Sequence, residues 1–198
     1  MTVLSRKPGG SGGGGAPSGP AGGDLTGTYP DPTLATPQAM VQLFDSILGV
    51  AGTFDANNLS QDYAHLTMRL SARGSQSENI IARFNNDSGA NYWQQVITAT
   101  TNTVVSAGAA GQTSMHIGYV DPTTANWGSG MVIDVTNYSE VTPHFKTISA
   151  SMAGGLSAFY WVGGGGMWGN TAAITRVQIL PSAGNFIAGS RLTVYGLL

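Results

Sequence analysis

The chain has 198 residues, of which only 9% are charged, and a formal net charge of −2. An ordinary soluble domain carries roughly 25% charged residues; here the polar side chains are mostly Thr, Ser, Asn and Gln, with no basic field of the kind a nucleic-acid partner requires. No apolar run is long enough for membrane insertion, and the lack of cysteine removes disulfides and thiolate metal sites and suits assembly in a reducing cytoplasm.

Residues 1–23 follow a short MTVLSRK start with almost pure Gly, Ser, Pro and Ala. Such a leader buries too little apolar surface to offset its ordering entropy and is expected to be disordered alone in water. About twenty such residues reach roughly 25 Å as a coil and at most about 70 Å extended. Val3 and Leu4, followed by Arg6 and Lys7, form too short an apolar core for a signal peptide, so no export signal is expected. The leader is either an inert linker or an anchor that orders against another protein, with Val3 and Leu4 as its apolar holds.

The next segment, Asp24 to Leu34, is chosen for backbone geometry. Pro30 and Pro32 force Tyr29 and Asp31 into extended conformations, while Gly23 and Gly27 offer turning points. Leu25 and Tyr29 are left as apolar side chains on a ribbon with few neighbours of its own, which points to packing against another copy or a partner. GGDLTGTYPDPTLA resembles the Gly-Asp-Leu-x-Gly-Thr-Tyr-Pro-x-Pro-Thr element of tailed-bacteriophage fibre and other virion proteins, through Asp24, Leu25, Gly27, Thr28, Tyr29, Pro30, Pro32 and Thr33. RFNNDSGANY (Arg83 to Tyr92) and IAGSRLTVYGLL (Ile187 to Leu198) are similar to stretches of small β-sandwich virion proteins. The resemblance implies a homotrimeric, β-rich appendage or capsid decoration on an extended N-terminal arm, partnered by itself and by major capsid or tail proteins, and located in the virion.

Residues 36–50, TPQAMVQLFDSILGV, place Met40, Val41, Leu43, Phe44, Ile47 and Leu48 at helical spacing, with Thr36 as N-cap, Pro37 at the first helical position and Gly49 past the end. About three turns of helix are expected, packed either around a trimer axis or over the open end of a sandwich. From Tyr63 onward the period becomes two: Ala64, Leu66, Met68 and Leu70 share one face and Tyr63, His65, Thr67 and Arg69 the other. Further strands are expected at Asn79–Phe84, Tyr92–Ala99, Ser114–Val120, Met131–Tyr138, His144–Met152, Ala158–Val162, Ala172–Leu180 and Arg191–Leu197, separated by breaks rich in Gly, Asn, Asp and Pro. The domain organisation is therefore arm and connector over 1–35, a helix over 36–50 and an all-β head over 51–198, expected as a jelly-roll-like sandwich.

Catalytic equipment is sparse. His65, His116 and His144 are isolated in or beside expected strands, without metal-ligand spacing. Asp87 and Asp121 fall in turns, where backbone bonding by the side chain accounts for them better than acid–base work does. Neither GGGG run (residues 12–15 and 163–166) is followed by the Lys-Ser or Lys-Thr of a phosphate loop; the second reads as a hairpin tip or a close approach between copies. Tyr92, Trp93, Trp127, Trp161 and Trp168 lie in or beside turns. They are candidates for subunit or virion interfaces, for a shallow glycan groove, or for the core. The expectation is a non-enzymatic structural protein without cofactor or metal, assembled in the host cytoplasm. A fibre-type receptor-binding protein recognising a host-surface glycan is the alternative, and a glycan depolymerase the second.

Overall fold

A computed structural model describes residues 18–20, 25–26, 28, 33–34, 39–122, 128–141, 144–155 and 159–198. The chain divides into two units, Met1–Gln38 and Ala39–Leu198. In the first, β1 (Leu25–Thr26) pairs antiparallel with β2 (Thr33–Leu34), and Pro20 bridges Thr28. Leu25 therefore belongs to a two-stranded ladder. Val3, Leu4, Asp24, Gly27, Tyr29, Pro30 and Pro32 lie outside the described residues.

The second unit contains β3 (Met40–Ile47), β4 (Phe54–Ala56), β5 (His65–Ala72), β6 (Glu78–Phe84), β7 (Tyr92–Ala99), β8 (Val104–Gln112) and β9 (Met115–Val120). It continues with β10 (Ser129–Val135), β11 (Lys146–Gly155), β12 (Phe159–Trp168), β13 (Val177–Pro181) and β14 (Arg191–Leu197). These make an eight-stranded sheet, β3-β14-β5-β10-β11-β12-β7-β8, and a four-stranded one, β4-β13-β6-β9. Among the described residues every strand pairing in these sheets is antiparallel. The expected all-β architecture is thus a sandwich of two antiparallel sheets.

Alternation explains the core. Leu66, Met68 and Leu70 of β5 align across the ladder with Val135, Ile133 and Met131 of β10, which align with Ile148, Ala150 and Met152 of β11. This apolar face packs with Ile80, Ala82 and Phe84 of β6, Met115 and Ile117 of β9, and Val177 and Ile179 of β13 in one buried cluster. Burial of a side chain of this size stabilises the fold by about 1.5–3 kcal/mol.

The expected helix is not formed over the described residues 39–50: Met40–Ile47 is β3, an edge strand on β14, while Thr36 and Pro37 lie outside the described residues. The physical reason is a bulge. Val194 pairs with Phe44 but Tyr195 pairs with Gln42, so Leu43 is an extra residue without a cross-strand partner. Each bulge shifts a strand's alternation by one position. Val41 and Leu43 are half-buried before it, Phe44, Ser46 and Leu48 after it, and this broken period of two mimics the i, i+3, i+4 spacing of a helix.

The run Gly163–Gly166 is not a hairpin tip either. It lies inside β12, between β11 and β7. A Cβ on Gly166 would fall on the carbonyl oxygen of Trp93 and 2.8 Å from Met115 Cε of the opposite sheet. The glycine therefore serves a close approach within one chain, where β9 packs on β12. Besides β3, two strands of this unit, β4 and β8, occupy segments for which the sequence predicts no strand.

Candidate contact surface

The aromatic candidates separate once they are placed on the sandwich. Tyr92 and Trp168 are wholly buried, so of the three roles open to them they take the core, behind the NNDSGAN turn. That turn begins with Asn85 and Asn86, both at positive φ (51° and 59°), and Asp87 N–H closes it on Phe84 O at 2.8 Å. Two consecutive positive φ values mark a type I′ geometry, to which Asn is suited. The Asp87 carboxylate then accepts bonds from Gly89 N–H at 2.8 Å, Asn91 Nδ2 at 2.9 Å and Trp168 Nε1 at 2.7 Å. Tyr92 Oη donates to Asp87 O and accepts from Phe84 N–H, both at 3.0 Å.

Electrostatics follow from this packing. Burial acts to raise the Asp87 pKa, but the bonds from Trp168, Asn91 and Gly89 outweigh it and hold the carboxyl below its ordinary range. Burial pushes the Tyr92 phenol up to about 12, so it stays a neutral donor. Asp87 is a structural hub whose charge is consumed by local donors.

Asp45, Asp55 and Lys146 are similarly engaged. Asp45 of β3 accepts Nε and Nη2 of Arg191, both at 2.8 Å, and Thr193 Oγ1 at 2.8 Å. Asp55 of β4 forms a bidentate pair with Arg176. Lys146 is fully buried, its Nζ donating to Glu140 O, and burial lowers its pKa against the opposing charge of Glu140. His116 Nε2 bonds Gly118 O at 2.9 Å, and its ring meets Tyr119 edge-on at 4.8 Å. Among the described residues no three of His, Asp and Glu gather as metal ligands would.

Two surfaces remain open to contact. Trp93 stacks on Phe145, with ring centres 6.0 Å apart and planes 8° from parallel. Trp161 is 44% exposed on the outer face of β12, the face turned away from the core. Its ring tip lies beside Gly163, where any Cβ would collide with it. Trp127 lies outside the described residues.

The second surface is β8, VVSAGAAGQ, which contains no charge and no proline. Val104 is 70% and Val105 55% exposed. The hairpin from β7 closes with Thr100 N–H on Thr103 O at 2.8 Å. Bonded and non-bonded pairs alternate along an antiparallel ladder, so in the register Ala99↔Val104, Ile97↔Ser106 and Gln95↔Gly108 the polar backbone groups of Val104, Ser106 and Gly108 point away from β7. No strand of the described residues lies beyond them. Sequence pattern concealed β8 because its residues are small and lack apolar alternation. Its visible signal was only nine residues without charge or proline. No family model and no curated protein matches the chain.

Proposed function

We propose that this chain is a non-enzymatic structural protein of a bacteriophage virion: a homotrimeric capsid decoration protein, or a short head or tail appendage, held to major capsid or tail proteins by its N-terminal arm. The observation that carries the reading is the uncharged edge of β8. Natural sheets blunt such edges with Lys, Pro, bulges or covering elements because an open row of amides and carbonyls recruits further strands. Here a bulge interrupts only the far end, at Ala110 and Gly111 opposite Trp93; over Val104–Gly108 there is no charge, proline or bulge, and exposed Val104 and Val105 flank the open backbone groups, which favours burial by another polypeptide. The sparse charge and the GDLTGTYPDPT element support the virion context. The chain also changes sheet at most of its connections, as jelly-roll connectivity does.

The test is the mass of the full chain in solution, by light scattering or native mass spectrometry, with imaging of virions labelled at the C terminus. Three times the 20.3 kDa of one chain, and label on head or tail, is the expected result. Val105→Lys on the open edge reduces the trimer while leaving the thermal unfolding of the head intact. A monomeric wild-type protein absent from mature particles would refute the reading.

A further inference from the structure

The outer face of the eight-stranded sheet carries a trough of about 610 Å³ across β14, β5, β10, β11 and β12. Cross-strand register sets its composition. Arg191, Ser71, Gly130, Ala153 and Trp161 stand in one row, and Thr193, Arg69, Val132, Ser151 and Gly163 in the next. Four interstrand steps give a length of about 19 Å. The middle of both rows is small, so it forms a floor. The Trp161 indole is the wall at one end, and Arg69, Arg191 and Tyr195 stand at the other.

The charges of the trough are one-sided. Asp45 satisfies Arg191, but exposed Arg69 has no hydrogen-bond or ion-pair partner among the described residues. A second depression of about 460 Å³ shares Ser71 and Gly130 with the first and runs on to Arg73. There Nη2 donates to Pro122 O at 3.2 Å, while the buried Nε has no partner among the described residues. Among the described residues neither depression is lined by Asp or Glu. Asp134 stands one row further along the outer face, aligned with Thr67 and Ser149, and makes no ion pair among the described residues.

We infer that this trough binds an extended, carboxylate-bearing polysaccharide. The apolar face of a sugar ring packs on Trp161, a ring with a large apolar face. The guanidinium fork of exposed Arg69 matches a carboxylate of the chain. Ser71, Ser151 and Tyr195 meet the ring hydroxyls. Gly163 keeps Trp161 in place, since a side chain there would displace the indole. The inference rests on the outer face of one copy and does not depend on the proposed trimer or on the virion reading.

The experiment is calorimetric titration of the full chain with an α-1,4-linked galacturonate hexamer, its methyl ester and poly-glutamate. Oligomer mass is measured in parallel, so failure of assembly is distinguished from failure of binding. The hexamer is expected to bind, with affinity falling about tenfold or more in Arg69→Gln, in Trp161→Ala and on methyl esterification. Both side chains are exposed, so circular dichroism of the variants is expected to match the wild type. Absence of hexamer binding, binding unchanged in Trp161→Ala, equal binding of the ester, or equal binding of poly-glutamate would each overturn the proposal.

Discussion

Asp87→Ala removes the carboxylate on which the NNDSGAN turn converges while sparing the backbone carbonyl that anchors Tyr92 Oη. The donors it abandons differ in their recourse. Gly89 and Asn91 lie where water replaces the lost bonds, so together they cost about 0.5–1.5 kcal/mol. Trp168 is fully buried, and its orphaned indole N–H costs a further 1–3 kcal/mol, approximately. The sum is about 1.5–4.5 kcal/mol, read as a lower urea midpoint at pH 7 with an unchanged denaturant slope. A double-mutant cycle isolates the buried donor. In a Trp168→Phe background no indole N–H exists, so Asp87→Ala is expected to cost only about 1 kcal/mol there. An equal cost in both backgrounds would refute the assignment of the larger share to the Trp168–Asp87 bond.

Other consequences are open to measurement. Gly166→Ala drives a methyl into Trp93 O and Met115 and is expected to destabilise by about 1–3 kcal/mol in urea unfolding. Gly165→Ala, whose Cβ meets only Ile148 O at 3.1 Å, is expected to cost less, and the reverse order would disprove the close-approach argument. Acid is expected to weaken the fold in two steps. Burial outweighs the Gly118 bond and lowers the His116 pKa from 6.5, so the unfolded chain takes up the proton first. Stability is full above about pH 6.5 and is lost as pH falls through the folded-state value. Asp87, lowered from 3.8, repeats this at more acid pH. His116→Gln should abolish the upper step in unfolding midpoints measured between pH 7 and 5. Deleting residues 1–23 is expected to leave the head's thermal unfolding unchanged and to prevent its incorporation into particles, which quantitative blotting of purified virions would reveal.

The strands most legible in the sequence were those whose alternation ran unbroken. Tyr92–Ala99 and Arg191–Leu197 have the limits their pattern indicates, and Leu66, Met68 and Leu70 face the core as period two requires. The turn role of Asp87 was legible for the same local reason: its side chain bonds Gly89, two residues away. What remained hidden depends on contacts remote in sequence. The bulge at Leu43 exists only against β14, and without that partner a displaced alternation cannot be told from a helical one. Gly166 is fixed in a strand interior by Trp93 and Met115, not by its glycine neighbours. Trp168 and Trp161 bracket the same run, yet their positions differ by an odd number of residues. A strand sends such positions to opposite faces: one indole enters the core to meet Asp87, and the other stays on the outer face. Local pattern thus determined that the chain forms sheets and where most strands run, because alternation and turn chemistry act between near neighbours. Which face each strand buries, and which edge stays open, was decided by the pairing of distant segments.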